Sequence, residues 1–120
     1  MGVDENFAAI RKGLLEFLML KIVAAEKVYA ADILKHLSAT DFATQEGTLY
    51  PLLRRLESQG LLVSEWREEG KRNKRFYRLS DNGARMLNQL LDEWRRIDNS
   101  LNGILSEPRH ALARAISERR

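Results

Sequence analysis

The stretch that decides the fold runs from Glu46 to Glu57 and reads EGTLYPLLRRLE. Its leucines recur at positions i, i+3, i+4 and i+7, which gathers them on one side of an α-helix: Leu49, Leu52, Leu53 and Leu56. The opposite side carries small, aromatic and basic residues, namely Gly47, Tyr50, Pro51, Arg54 and Ser58. Such a side can approach a phosphate backbone closely and send long donors to base edges. An ordinary surface helix with solvated arginines fits the same pattern, so the helix alone leaves both interpretations open.

A basic hairpin is predicted directly after this helix. β-favouring side chains dominate from Leu61 to Arg67 and again from Arg75 to Leu79, and the polar residues 68–74 are expected to form the turn between them. The block after Gly70 contains cations and no acid: Lys71, Arg72, Lys74, Arg75 and Arg78. Cations on a projecting loop can neutralise phosphates and release condensed counterions. A solvated turn is the alternative, because turns are polar for many reasons.

Composition restricts the classes of function. The chain has 120 residues, the length of one domain, and a net charge of +3. It contains no cysteine, which excludes disulfides, cysteine-zinc sites and thiol nucleophiles. Its two histidines, His36 and His110, have no spacing that brings them to a nucleophile, a paired carboxylate or a set of metal ligands. We therefore expect no enzyme, no cofactor and no metal site.

The apolar run from Leu14 to Ala25 is too short for a membrane span, and Glu16 and Lys21 interrupt it. Nor does the N-terminus read as a signal peptide, because Asp4 and Glu5 lie where positive charge is expected. The sequence therefore predicts a cytoplasmic protein with no membrane partner.

The predicted order of elements is that of a winged helix-turn-helix. Helices are expected at about residues 6–25, 30–38 and 45–59, followed by the hairpin and a long helix from Asp81. Thr44 and Ser80 are the predicted N-caps of the third and last helices, and Gly60 is the predicted stop of the third. The fold class is thus mainly α with a small β-hairpin and a long C-terminal dimerisation helix. We divide the chain into a DNA-binding domain (residues 6–79), a dimerisation helix (80–106) and a tail (107–120) that is expected to be frayed or disordered.

Two helices carry more apolar surface than one small core requires. The first helix has a surplus face with Ile10, Leu14, Phe17 and Met19, and the last has an a/d heptad seam. The predicted dimer interface is Leu14, Phe17, Leu87, Leu90, Trp94, Ile97, Leu101 and Ile104. A contact between the two helices within one chain is the alternative. A symmetric homodimer would explain both surfaces and would present two recognition helices to a roughly palindromic operator in double-stranded DNA.

Five segments carry a resemblance that spans residues 8 to 105. They are GLLEFLML (13–20), EGTLYPLLRRLE (46–57), GLL (60–62), SEW (64–66) and RFYRLS (75–80). Together they resemble the PadR family of bacterial transcriptional regulators. The resemblance implies a dimeric winged-helix repressor of the short subtype, whose single C-terminal helix packs on the partner's first helix. The chain departs from the family at residues 26–28, where a Gly- or Pro-containing turn is usual, and in a shorter wing that lacks the usual proline.

The resemblance also implies which residues contact DNA. The third helix and the residue before it would contribute Thr44, Gln45, Gly47, Thr48, Tyr50 and Arg54. The wing would contribute Lys71, Arg72, Lys74 and Arg75 to adjacent phosphates, and Lys12 on the first helix would add a backbone contact. A competing interpretation is a winged-helix protein-interaction module without specific DNA binding, because the fold alone does not determine its partner.

Trp94 lies near the middle of the predicted seam and would face its own copy across a two-fold axis. In some resembling regulators such a pair brackets a flat aromatic compound, and two facing indoles form a stacking platform. The effector pocket for a planar aromatic ligand would be lined by Phe7, Ile10, Leu14, Leu90, Trp94, Ile97 and Asp98. The alternative is that Trp94 is a large core residue of the dimer interface, as aromatic stripes at helical spacing usually are.

Overall fold

The computed structural model describes the backbone of residues 3–118 and the side chains of residues 7–104. This range contains four helices and three strands, in the order α1 (Val3–Ala25), β1 (Val28–Tyr29), α2 (Ala30–Ser38), α3 (Glu46–Ser58), β2 (Leu62–Glu69), β3 (Arg72–Leu79) and α4 (Asp81–Glu118). The chain divides into two compact units, residues 1–87 and residues 88–120. The first unit holds the helices and the sheet of a winged helix-turn-helix, which confirms the predicted fold class. Among the described helices, none combines the length and the apolar composition that a membrane crossing needs.

The leucine stripe of α3 lies in the core of the first unit. All four leucines are buried, which confirms the predicted amphipathic helix. The other elements of this unit contribute further buried side chains: Leu15, Met19, Leu20, Val23, Val28, Ile33, Leu37, Leu62 and Tyr77. Met19 is fully buried, so its predicted place on the surplus face of α1 is wrong. The reason is helical spacing, because Met19 lies four residues from both Leu15 and Val23 and shares their buried face.

The two ends of α3 differ in how well local sequence predicted them. The N-cap is Gln45, in an extended conformation and without a side-chain cap, so the predicted Thr44 cap is wrong. At the other end, Gly60 has a φ of +76°. Its N–H donates to the Glu57 carbonyl oxygen and the Leu61 N–H donates to that of Leu56, both at 3.0 Å. This is a Schellman motif, and it confirms Gly60 as the residue that ends the helix.

The wing is a longer hairpin with a tighter turn than the sequence predicted. β2 and β3 pair antiparallel from Leu62 opposite Leu79 to Glu69 opposite Arg72, so only Gly70 and Lys71 remain in the turn. Gly70 has a φ of +64°, as the first central residue of a type II′ turn requires. The predicted turn over residues 68–74 is therefore wrong, because strand pairing carries polar residues into the ladder despite their low β-propensity.

A third strand, which the sequence did not predict, completes the sheet. β1 pairs antiparallel with β3, with Val28 opposite Tyr77 and Tyr29 opposite Phe76, and the strand order is β1-β3-β2. The Tyr29 and Phe76 rings meet edge to face with their centres 4.0 Å apart. Two residues are too few to show a period-2 pattern, so the pairing could not be seen in the sequence.

The start of α4 agrees with the sequence. The Ser80 Oγ accepts a hydrogen bond from the Gly83 N–H at 2.9 Å, and the Ser80 carbonyl oxygen accepts one from Ala84 at 2.9 Å. Ser80 is therefore the N-cap, as predicted. The helix runs on to Glu118, so the backbone of the predicted tail is helical up to that residue, whereas its side chains lie outside the described residues. The division into a dimerisation helix and a tail stays a prediction.

Candidate nucleic-acid interface

The outward face of α3 is open to solvent along its length. Gln45, Gly47, Thr48, Tyr50 and Arg54 are all exposed. The leucine stripe holds the other side of the helix in the core, so these residues share the free side. An α-helix is about 10–12 Å wide with its side chains, and the major groove of B-DNA is about 12 Å wide. The exposed face therefore has the dimensions and the donors that base recognition requires.

A first cleft, here called the α1 cleft, lies between α1, the turn that joins α2 to α3, and α3 itself. It encloses about 480 Å³, and three predicted DNA-binding residues line it: Lys12, Thr44 and Thr48. Arg11 also lines this cleft. Its guanidinium lies 4.4 Å from the centre of the Phe42 ring and donates to a carbonyl oxygen of the connecting turn. Two cations and two hydroxyls beside the start of the recognition helix suit a phosphate group.

A second cleft, the wing cleft, lies between the start of α2, α3 and the hairpin. It encloses about 490 Å³, and four predicted residues line it: Tyr50, Arg54, Lys74 and Arg75. The structure thus brings together donors from the recognition helix and from the wing, which the sequence could only place on separate elements. Lys71 and Arg72 do not line either cleft and lie exposed at the tip of the wing.

Trp66 also lines the wing cleft and is not among the residues that the sequence predicted to bind DNA. Its side chain is 66% exposed. It lies directly opposite Arg75 in the strand register, and the Arg75 guanidinium is 5.6 Å from the centre of the indole. The alternation of Leu62, Ser64 and Trp66 along β2 was the signal that could have placed it, because every second residue of a strand shares a face.

The cations of the wing differ in how freely they can meet a phosphate. The Lys74 Nζ lies 3.7 Å from an oxygen of Glu69 and 5.0 Å from the centre of the Tyr29 ring. Within the described residues, Lys71 and Arg72 are in no ion pair, and the same holds for Arg54 on α3. These three side chains therefore bring positive charge that is not engaged in a described ion pair to the surface that carries α3 and the wing.

Arg75 is held in a network that joins the wing to α3. Its Nε donates to the Ser64 Oγ at 2.8 Å, and the Ser64 hydroxyl donates to a carboxylate oxygen of Glu57 at 2.7 Å. The Arg75 Nη2 lies 3.5 Å from the same Glu57 oxygen. The predicted phosphate ligand Arg75 is thus already engaged by a serine of β2 and a carboxylate of the last turn of α3.

Two tyrosines of the sheet titrate abnormally. Burial raises the pKa of Tyr29 to about 12, and the nearby Glu69 carboxylate adds to the shift. Burial also raises the pKa of Tyr77, against the opposing charge of Arg75. A phenol with the ordinary pKa of about 10 is already neutral at physiological pH, and the raised pKa of each tyrosine extends the neutral range upward, so neither adds charge to the wing cleft.

The residues predicted for the dimer interface and the effector pocket fall in both units. In the first unit Phe7 and Ile10 are exposed, whereas Leu14 and Phe17 are half-buried. In the second unit the large exposed hydrophobics are Trp94, Ile97, Leu101 and Ile104, and Trp94 is 44% exposed. Leu87 differs from the rest of the predicted seam, because it is only 5% exposed and is already packed in the single chain.

Comparison with known proteins agrees with this geometry. Residues 19–89 match the transcriptional regulator PadR-like family, a segment that makes up more than half of the chain. The chain belongs to the PadR-like family of transcriptional regulators. The structure of a PadR-like transcription factor from Bacteroides fragilis superposes on this PadR-like chain with a TM-score of 0.74 at 34% identity, covering 83% of this chain and 98% of that one.

Two further relatives extend the comparison. The transcriptional regulator Rv3488 of Mycobacterium tuberculosis is 39% identical over 71 residues, which are 59% of this PadR-like chain and 66% of that protein. The PadR protein of Bacillus subtilis, whose structure was determined in complex with operator DNA, superposes with a TM-score of 0.61 at 22% identity, over 65% of this chain and 46% of that one. At that identity the likeness shows the fold. Members of the PadR family are DNA-binding regulators of transcription, not enzymes.

Proposed function

We propose that this PadR-like chain is a sequence-specific repressor that binds a roughly palindromic operator as a homodimer. The observation that carries the proposal is the open face of α3 between two clefts, each lined by cations. In this arrangement α3 enters the major groove, where Gln45, Tyr50 and Arg54 meet base edges or phosphates. The α1 cleft and the wing then take the phosphates on the two sides of that groove.

The exposed cations of the chain support the same function. Its net charge is modest, but Arg54, Lys71 and Arg72 are exposed cations without an ion pair among the described residues. Contacts of this kind release counterions from DNA, so affinity should fall steeply as salt is raised. Repression is the simplest result of binding, because a dimer that occupies a promoter excludes other proteins and needs no further contact. Such a regulator acts in the cytoplasm, where the operator lies.

The dimer is supported by the apolar side chains that α4 leaves exposed. Trp94, Ile97, Leu101 and Ile104 recur at the a/d spacing of a coiled coil and are accessible in the single chain. A second copy would bury them and would place two recognition helices about one helical turn of DNA apart, roughly 34 Å. The operator would then repeat its half-site in inverted orientation.

An effector would act by changing the distance between the two recognition helices of the dimer. We propose that a planar aromatic compound stacks on Trp94 at the dimer interface, with Phe7, Ile10, Leu14, Leu90, Ile97 and Asp98 as the surrounding residues. Binding would favour the dimer geometry in which the two recognition helices no longer match consecutive major grooves. Trp94→Ala separates this role from a purely structural one. Retained dimerisation and DNA binding with a lost response to aromatic compounds would support the pocket, and dissociation of the dimer would favour the core interpretation.

The experiment that tests DNA binding is fluorescence anisotropy with a labelled duplex from upstream of the chain's own gene, against a scrambled duplex of equal length, at two salt concentrations. We expect tighter binding to the upstream duplex and a loss of affinity of several orders of magnitude between about 50 and 200 mM salt. Equal affinity for both duplexes would argue against sequence-specific autoregulation. Binding that salt does not change would favour the protein-interaction module.

A further inference from the structure

The wing has to be held at a defined angle to the recognition helix if both are to meet one DNA duplex. From Glu65 to Arg75 every residue of the hairpin is exposed, so the outer wing has no core of its own. A two-stranded hairpin is marginally stable by itself in water, and its orientation depends on contacts at its base. Those contacts include the pairing of β1 with β3, the buried side chains of Leu62 and Tyr77, and a network of Glu57, Ser64 and Arg75. Of these, only the network joins the wing to α3 through polar side chains.

We propose that Arg75 is a positioning residue rather than a phosphate ligand. With Ser64 and Glu57 it forms a clamp that fixes the wing to the C-terminal end of α3 and so determines where the wing cations meet DNA. The proposal rests on the proposed DNA-binding function and deepens it, because it gives an acidic residue of the DNA-binding surface a role that favours binding.

The geometry of the clamp supports this role. Ser64 stands between the two charged groups, since its oxygen accepts from the Arg75 Nε and its hydroxyl donates to Glu57. Arg75 reaches Glu57 directly as well, so the three side chains form a closed set of contacts across two elements. Arginine suits this place because its planar guanidinium can satisfy two partners in fixed directions, which a lysine cannot.

The clamp lies at the base of the wing, so a small change in its geometry moves the tip of the wing by a larger distance. Arg75 and Arg72 are three residues apart on β3, which corresponds to roughly 10 Å of strand. A wing that pivots at its base would therefore move Lys71 and Arg72 by several ångströms relative to α3. Charge-assisted contacts to phosphates weaken over such distances, although none of the contacting residues has changed.

The direction in which one substitution changes DNA affinity distinguishes the clamp from a direct contact between Arg75 and a phosphate. Glu57→Gln removes a negative charge from the DNA-binding surface, so simple electrostatics and a freed Arg75 both predict equal or tighter binding. The clamp predicts weaker binding, by roughly tenfold, because the amide holds arginine less strongly and the wing loses its orientation. Glu65→Gln is the matched control. It also removes an acid paired with an arginine, Arg67 at 3.2 Å, but this pair lies within β2 and does not reach α3.

Ser64→Ala provides a readout that loss of folding cannot imitate. The substitution changes no charge, so a variant that is merely less folded keeps the wild-type dependence of affinity on salt. If the clamp positions the wing, Ser64→Ala disengages Lys71 and Arg72 from their phosphates, and the slope of log affinity against log salt falls by about one to two. Arg75→Lys should behave in the same way, whereas a direct phosphate contact would largely survive this change.

The test uses the full chain and the labelled upstream duplex, with thermal denaturation of each variant as a control for folding. Weaker binding and a shallower salt slope for Ser64→Ala and Glu57→Gln, with Glu65→Gln at or above wild-type affinity, are the expected results. Wild-type or tighter binding by Glu57→Gln, or an unchanged salt slope for Ser64→Ala, overturns the clamp.

The free protein gives a second, DNA-independent measurement. In nitrogen-15 NMR spectra the Arg75 Nε–H of the wild type should exchange slowly with water, and Ser64→Ala should abolish this protection and accelerate amide exchange in the wing. If the wild type binds no duplex but the protection is present, the proposed function fails while the link between wing and helix stands. If the Arg75 Nε–H of the wild type is not protected from exchange, the clamp is ruled out, whether or not the protein binds DNA.

Discussion

At the scale of single residues, the fold requires a glycine where two backbone segments approach each other closely. Gly83 lies in the first turn of α4 and is buried. A Cβ at this position would collide with the carbonyl oxygen of Leu61, and it would come within 3.0 Å of the carbonyl carbon. That oxygen already accepts a hydrogen bond from the Ser80 N–H at 3.1 Å, so the backbone there is held in place.

We therefore expect Gly83→Ala to lower the free energy of unfolding by about 2 kcal/mol or more, because neither backbone segment can move without losing a hydrogen bond. Urea denaturation measures the change. Gly13→Ala is the control, since an added Cβ there meets no atom within 4 Å. It should raise stability by up to about 1 kcal/mol through helix propensity. Equal effects of the two substitutions would contradict the close approach at Gly83.

The raised pKa of Tyr29 predicts how the free energy of unfolding depends on pH. Its pKa is raised to about 12, so the folded chain holds the phenol proton more tightly than the unfolded chain does. The resulting stability is fully present below pH 10 and is lost as pH rises towards 12. The Tyr29 hydroxyl oxygen is buried, and no described group meets the geometry of a hydrogen bond to it, although the Glu69 carboxylate lies close enough to contribute to its raised pKa. Tyr29→Phe should therefore cost little at pH 7 and should flatten the alkaline loss. Thermal melts between pH 8 and 12 test this, and an unchanged alkaline profile would count against it.

At the scale of elements, the winged helix divides its tasks between a rigid helix and a projecting hairpin. α3 is anchored by its leucine stripe and ended by the Schellman motif at Gly60. The wing carries its free cations, Lys71 and Arg72, at a turn that Gly70 allows through its positive φ. Under the proposed function, α3 would supply base readout and the tip of the wing would supply sequence-independent attraction to phosphates.

Charge reversal at the tip tests that division. The double substitution Lys71→Glu and Arg72→Glu should weaken binding to the upstream and the scrambled duplex by similar factors, about tenfold or more, and should reduce the salt slope by about two. The double substitution Lys21→Glu and Lys27→Glu, at two exposed positions away from the wing, changes the net charge by the same amount and is the control. A loss confined to the upstream duplex would instead assign base recognition to the wing tip.

At the scale of the whole molecule, the second unit presents apolar side chains that a single chain leaves in solvent. Trp94, Ile97, Leu101 and Ile104 are large, exposed and regularly spaced. Exposed patches of this kind usually mark a contact with a partner. Leu87 belongs to the same heptad pattern but is buried in the first unit, so one end of the pattern contributes to the core and the exposed remainder is available for the proposed dimer.

The proposed dimer predicts opposite behaviour for two similar substitutions on α4. Leu101→Lys places a charge on the apolar seam and should convert the dimer to monomer at micromolar concentration, because an unpaired buried charge costs several kcal/mol. Asn99→Lys adds the same charge off the seam and should leave the dimer intact. Sedimentation velocity distinguishes the two states. A dimer that survives Leu101→Lys would place the interface elsewhere, and the alternative of association through α1 alone would gain support.

Local chemistry explains why much of this architecture could be predicted from the sequence. The stripe of Leu49 to Leu56, the stop at Gly60 and the cap at Ser80 all depend on residues within one or two turns of each other. The same locality explains the exposed face of α3, since a buried stripe leaves the opposite side free. The sequence alone therefore determined the helix-turn-helix, the presence of a basic hairpin and its likeness to PadR regulators.

Only the tertiary structure decided the features that join distant residues. The strand Val28–Tyr29 exists because β3 offers it hydrogen bonds from the other half of the domain. Arg75 lies in a basic block of the sequence, but the carboxylate that pairs with it, Glu57, lies on another element. The need for glycine at position 83 likewise appears only where Leu61 approaches. Such pairings depend on the meeting of chain segments far apart in sequence, and no local period or propensity encodes which segments meet.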